Sequence, residues 1–284
     1  MKRSTVAVVA VGLAVAGWWA TVSLAGPTIT LGRIVPASQQ VAVNNIDHSI
    51  WSSLLDRYVD SNGMVDYRRW KASSADQQSL EAYLQRLSAA SFPATATREA
   101  RLAFWINAYN AVTVEGILRE YPTTSIRNHT AKIVGYNIWD DLQLLVGGRP
   151  YSLNAIEHEV LRRIGEPRIH FAIVCASIGC PRLLNEAYTA ARLDEQLTLN
   201  TRAFFADSTK FRADTKTNSI HVSPILNWFA KDFGDSTAAQ MKTISPYVPT
   251  EFQSLTSSGQ ASVKYLDYDW GLNDQAKVRN AAPR

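Results

Sequence analysis

The run from Arg168 to Leu183, RIHFAIVCASIGCPRL, constrains this chain more than any other segment. Ile169, Phe171, Ala172, Ile173 and Val174 form a short, continuous apolar stretch that suits a buried strand. Ala176, Ser177, Gly179 and Pro181 then break it. A strand ending in a turn of small residues lifts its last side chain, Cys175, out of the core. Backbone N–H groups of the 176 to 180 turn would surround that sulfur and stabilise a thiolate or an oxyanion.

Helical spacing dominates elsewhere. Ile50, Leu54, Leu55 and Tyr58 share one face of a helix that Asp47 can cap, and Asp60-Ser61-Asn62-Gly63 follows as a turn. That turn lacks the acidic run and closing Glu of a calcium loop. Helices are expected over Ser74 to Leu87, Thr97 to Glu120, Ser152 to Ile164, Leu193 to Phe205 and Ile225 to Phe233, the first and fourth of them amphipathic. Ile133 to Leu153 alternates around Gly147-Gly148, and Lys210 to Val222 around Lys216 to Ser219, which predicts two hairpins. Val263 to Trp270 alternates like a strand. The fold class is therefore α+β: a single domain with many helices packed on a small antiparallel or mixed sheet.

The first residues carry Lys2 and Arg3, then an apolar run from Val6, then small residues at Ser23 and Ala25. Residues 1–25 read as a signal peptide, or as an N-terminal anchor if uncleaved. The body of the chain would then be exported, in a bacterium to the periplasm or the periplasmic face of the inner membrane, with membrane contact only through that segment. Residues 26–45 mix Pro, Gly, Ser, Gln and Asn without period and read as a linker, and residues 275–284 as a frayed end. The formal charge of +4 is carried by dispersed basic residues, which excludes nucleic acid as a partner. Two cysteines in an exported protein suggest a disulfide, but Cys175 and Cys180 stand five positions apart and would close only a small loop. The alternative is a free, functional Cys175, with Cys180 as a redox partner or structural residue.

A thiol nucleophile needs a base. His170 lies five positions before Cys175, so in a regular strand the two point to opposite faces. His158, on the preceding helix, can fold back over the strand exit and is the expected partner. Its neighbour Glu157 points about a hundred degrees away. Asn107 and Asn110 share a helical face within FWINAYNA, where two amides must be bonded, to a neighbouring loop or to a ligand. Ser177 lacks the nucleophile-elbow context and suits a turn or a hydrogen bond in the site. Asn227 and Trp228 offer further binding groups. No metal is expected, since no second His or Cys stands at helical ligand spacing from His158 and no CxxC or HExxH pattern occurs, and no cofactor is expected.

HFAIVCASIGCPRL, together with FWINAYNA, IEHEVLR, SPILNWFAKDF, YLDYDWGLN and the early WSSLLDRYVDSNGMVDYRRW, resembles the bacterial branch of the domain-of-unknown-function family 547. The resemblance spans about residues 46–274. It implies a papain-like or transglutaminase-like fold with a thiol site whose counterparts here are Cys175 and His158. In related patterns the position of Cys180 is open to other residues, which favours Cys175 as the functional thiol. The resemblance identifies no third residue; Asn107, Asn110 and Glu157 remain candidates. Three functions are in play. The first is an exported thiol-dependent hydrolase or acyl transferase on an amide, a small peptide or a glutathione-like thiol ligand. The second is a noncatalytic periplasmic binding module using the same cleft, and the third an envelope structural protein with a Cys175–Cys180 disulfide.

Overall fold

The computed structural model describes residues 27–130 and 135–276. The segment on which the signal or anchor reading falls lies outside the described residues, as do 277–284 of the expected frayed end. The helices are α1 (Ser49–Tyr58), α2 (Tyr67–Ala72), α3 (Ser74–Ser88), α4 (Arg98–Glu120), α5 (Arg162–Ile164), α6 (Leu193–Ala206), α7 (Ile225–Trp228), α8 (Ala230–Phe233), α9 (Thr237–Ile244) and α10 (Thr250–Ser257). The strands are β1 (Ile29–Leu31), β2 (Val41–Ala42), β3 (Ala90–Ser91), β4 (Leu142–Val146), β5 (Arg149–Ser152), β6 (Phe211–Asp214), β7 (Ser219–Val222) and β8 (Ser262–Tyr265). They form three small sheets: β1 parallel to β4 with β5 antiparallel on its other side, β2 parallel to β3, and β6 antiparallel to β7, which runs parallel to β8. The architecture is α+β, helix-rich with small mixed sheets.

The fold is organised around α4. Thr97 caps it by accepting the N–H of Ala100. From Leu102 to Leu118 every side chain but Glu115 is buried, so the helix is apolar nearly all round and serves as a central post. Gly116 permits close approach, because a Cβ there would fall 2.6 Å from Cδ1 of Ile138. The larger apolar core gathers α1, α3, α4, β4 and the segment from Ala172 to Val174. A second core, built on Phe171, Phe204, Phe205, Phe211 and Ile220, lies under α6, β6, β7 and α9. Consecutive residues of one segment, Phe171 and Ala172, thus belong to different cores, and Tyr268 packs against both.

Both hairpins, α3, α4 and α6 match the periodicities. The apolar run before Cys175 does not form a strand: Pro167–Phe171 is a 3-10 helix, with Pro in its first turn and Glu166 accepting the N–H of Arg168. Continuous apolar character reports burial and not period, which is why it misleads here. Residues 27–45 are part of the fold and not a linker. Leu31, Val35 and Val43 are buried, and Ile29 and Leu31 stand opposite Leu142 and Leu144. Strands of two or three residues are too short to show alternation. The expected helix over 225–233 breaks at Phe229 into α7 and α8. The helix before the thiol segment starts with a π-helical stretch, Ala155–Leu161, holding Glu157 and His158. Gln275, expected to fray, donates its backbone N–H to the carbonyl of Val65 at 3.0 Å.

Candidate active site

A cavity of about 170 Å³ lies where the two cores meet, lined by Tyr109 of α4, Trp139, Asn154 and Glu157, His170, Ile173, Cys175, Cys180 and Pro181, and Ile225, Trp228, Phe229, Tyr268 and Trp270. Asn110 positions the thiol segment: its Nδ2 donates to the carbonyl of Ala172 at 3.0 Å, and its Oδ1 accepts the N–H of Val174 at 2.9 Å. Asn107 does the same for Tyr188, at 2.8 and 2.9 Å. Both amides are spent on backbone, so they act as clips that hold loops to α4.

Cys175 and Cys180 are joined in a disulfide. Cys180 is 3% exposed and Cys175 half-buried. The sulfur of Cys180 accepts the N–H of Cys175 at 3.0 Å, the Ser177 hydroxyl at 3.3 Å and the Tyr268 hydroxyl at 3.1 Å. Ala176 takes the left-handed conformation, φ 53°, uncommon for a residue with a Cβ. Its carbonyl accepts the N–H of Asn273, while the N–H groups of Ile178 and Gly179 donate to the carbonyls of Gly271 and Asp269. Cys180 donates its N–H to the carbonyl of Ser177. Of the turn expected to hold an oxyanion, three N–H groups are therefore consumed, and those of Ala176 and Ser177 remain the candidates.

His158 does not line this cavity. It is exposed on the π-helical stretch, with Nδ1 3.2 Å from Nη1 of Arg162. Within this stretch Glu157 is buried and its neighbour His158 is exposed. His170 lines the cavity instead. Its Nε2 lies 2.7 Å from Oδ2 of Asp232, and its ring stacks on Phe229 at 4.0 Å. Its other nitrogen, Nδ1, is buried and has no hydrogen-bond partner among the described residues. Burial, opposed by Asp232, lowers the pKa of His170, which favours the neutral ring with the proton on Nε2 and a lone pair on Nδ1. Arg162 holds Asp232 in a two-pronged pair at 2.6 and 2.8 Å, and with His170 keeps that carboxyl well below the usual range despite partial burial. Glu157 is buried beside the Tyr109 hydroxyl, 3.3 Å away, and burial raises its pKa to about 7.

The cavity thus brings together Cys175, Cys180, Glu157 and Trp228 of the residues singled out in the sequence. Ser177 touches both sulfurs from behind, and Asn227 is exposed outside the lining. The sequence reading missed His170 as a site residue, along with Asp232, Tyr109, Trp139, Tyr268 and Trp270. Tyr268 and Trp270 stand two apart in an aromatic-rich stretch and carried a usable signal; Asp232, 62 positions from His170, carried none. Among the described residues, no three His, Cys, Asp or Glu side chains are grouped to hold a metal ion. A larger cavity, about 660 Å³, is bounded by Val43 to Ser53, the start of α4 and Ala187 to Ala191. Small Ala, Ser and Thr side chains and His48, whose Nδ1 bonds the Tyr83 hydroxyl, line it, and neither sulfur reaches it.

Fold and site define an α+β domain with a cysteine pair and a carboxylate-held histidine in one aromatic-walled cleft. The family described as Protein of unknown function, DUF547, matches the chain over residues 93–205. The matched stretch is shorter than the motif resemblance and holds Glu157, His170 and both cysteines. Asp232 and the wall of Trp228, Tyr268 and Trp270 lie beyond it. No curated protein and no solved structure matches the chain.

Proposed function

We propose that the cleft is the active site of a thiol-dependent hydrolase or acyl transferase acting on an amide, peptide or thiol-peptide substrate. Cys175, once reduced, is the nucleophile, and His170 takes the role expected of His158. The observation that carries this reading is the buried, unpartnered Nδ1 of a histidine whose other nitrogen is held by a carboxylate, on the wall of the cavity that holds Cys175. Nδ1 takes the thiol proton, and Asp232 stabilises the resulting imidazolium. The thiolate adds to the substrate carbonyl beside the N–H groups of Ala176 and Ser177. His170 returns the proton to the leaving amine, and water or a second acceptor releases the acyl group. Glu157, near pKa 7, is a second proton carrier. Export to the periplasm or its membrane face remains part of this proposal, on the strength of Lys2, Arg3 and the apolar run to Ala25; fractionation of tagged protein tests it.

The test is the pH profile of iodoacetamide alkylation of gently reduced protein. Cys175 should react well below the range of a free thiol, pKa ~8.5. His170→Ala should move the profile up toward that value, while His158→Ala leaves it in place. A shift caused by His158→Ala alone would return the role to His158; no shift from either would remove the histidine from the mechanism. The Cys175–Cys180 bond also favours a second reading, an envelope protein in which the disulfide is structural. That reading expects no thiol to become reactive before the protein unfolds.

A further inference from the structure

We propose that the Cys175–Cys180 pair is a thiol-exchange site of fixed polarity, in which a low-molecular-weight thiol attacks Sγ of Cys175 and Cys180 departs as the thiolate. The two sulfurs differ in surroundings. Cys175 is the more exposed, while Cys180 is 3% exposed. Three donors converge on the Cys180 sulfur at 3.0 to 3.3 Å: the N–H of Cys175 and the hydroxyls of Ser177 and Tyr268. The same hydroxyls lie farther from the Cys175 sulfur, at 3.5 and 3.4 Å. Donors on a sulfur stabilise its thiolate, and exchange is faster when the departing sulfur is the better-stabilised anion. Access and leaving-group stability therefore select the same direction of cleavage.

In the first step the bond between the incoming sulfur and Cys175 forms, the Cys175–Cys180 bond breaks, and its electron pair goes to Cys180. In the second step another thiolate attacks the incoming thiol's own sulfur in the mixed disulfide, releasing Cys175 as thiolate and a small disulfide. Two thiols are oxidised to one disulfide and the protein disulfide is reduced to two thiols. The protons of the two thiols pass to the two cysteines. This exchange would supply the free Cys175 that the acyl-transfer reading requires, but its polarity stands whether or not that reading does.

The experiment uses the full chain and its Cys180→Ser and Cys175→Ser variants, incubated folded with glutathione disulfide and read by intact mass and peptide mapping. Circular dichroism checks the fold of each variant. Cys180→Ser should gain one glutathione on Cys175; Cys175→Ser should react at least tenfold more slowly. In the oxidised wild-type protein treated with glutathione and acid-quenched, the mixed disulfide should map to Cys175. Tyr268→Phe, which removes a donor from Cys180, should slow reduction several-fold. An adduct on Cys180, equal rates for the two variants, or a disulfide reduced only on unfolding would each overturn the polarity. If polarity holds but the reduced protein acylates nothing and His170→Ala leaves alkylation unchanged, the acyl-transfer reading alone fails.

Discussion

Burial holds the Glu157 carboxyl near a pKa of about 7, against 4.5 for the unfolded chain, with Tyr109 and Arg162 lowering it and Asp232 raising it. Between those values the folded state keeps a proton that the unfolded state loses. Stability from this group therefore falls as pH rises through the window, by up to about 3 kcal/mol. His48 slopes the other way. Its folded pKa is lowered to about 4 by burial, so its contribution is lost as pH drops below 6.5. Because the two oppose each other, the informative quantity is a difference between proteins. Glu157→Gln should gain on the wild type by about 2–3 kcal/mol between about pH 4.5 and about pH 8 in urea unfolding. A constant difference across that range would show that Glu157 titrates normally in the folded protein.

At the scale of elements, the clip from α4 to the thiol segment is the feature most open to test. Asn110→Leu keeps the branched shape and the number of heavy atoms but leaves the carbonyl of Ala172 and the N–H of Val174 buried without their partner. Each orphaned group costs about 1–3 kcal/mol, so a loss of about 2–4 kcal/mol is expected in denaturant unfolding. Alkylation of reduced Cys175 should also lose its low-pH onset, because the segment that presents it is no longer held. A loss under about 0.5 kcal/mol, typical of surface changes, would mean that the clip matters little. The helix is readable from the 3.6-residue period that starts near Thr97. What the two amides hold is not, because their partners lie 62 to 81 positions away.

For the whole molecule, the cleft exists because two cores meet, and the N-terminal strand helps close one of them. β1 covers the free edge of β4, with Leu31 buried and the N–H of Ile29 donating to the carbonyl of Asp141 at 2.8 Å. A chain starting at Gly32 should therefore be less stable than one starting at Pro27 by about 2–4 kcal/mol, since it loses a buried Leu and the ladder bonds of an otherwise open edge. Equal melting temperatures for the two chains would show that β1 is dispensable. In the second core, Phe171, Phe204 and Phe205 pack on one another at 4.9 to 5.4 Å and fix the wall from which His170 faces the cavity.

Local physics made much of this protein legible from its sequence: the long helix α4, the glycine and asparagine hairpins, the helix-rich α+β class, and a turn of small residues after Cys175. Each rests on a period or a turn preference acting over a few residues. Tertiary structure alone decided which histidine meets the cavity. The reading that put His170 on the opposite face assumed a regular strand, and Pro167–Phe171 is a 3-10 helix. It also decided that β1 joins β4 across more than a hundred residues, and that Asp232 reaches His170. Those pairings depend on how two cores dock, and no short-range pattern encodes a contact whose partners are distant in the chain.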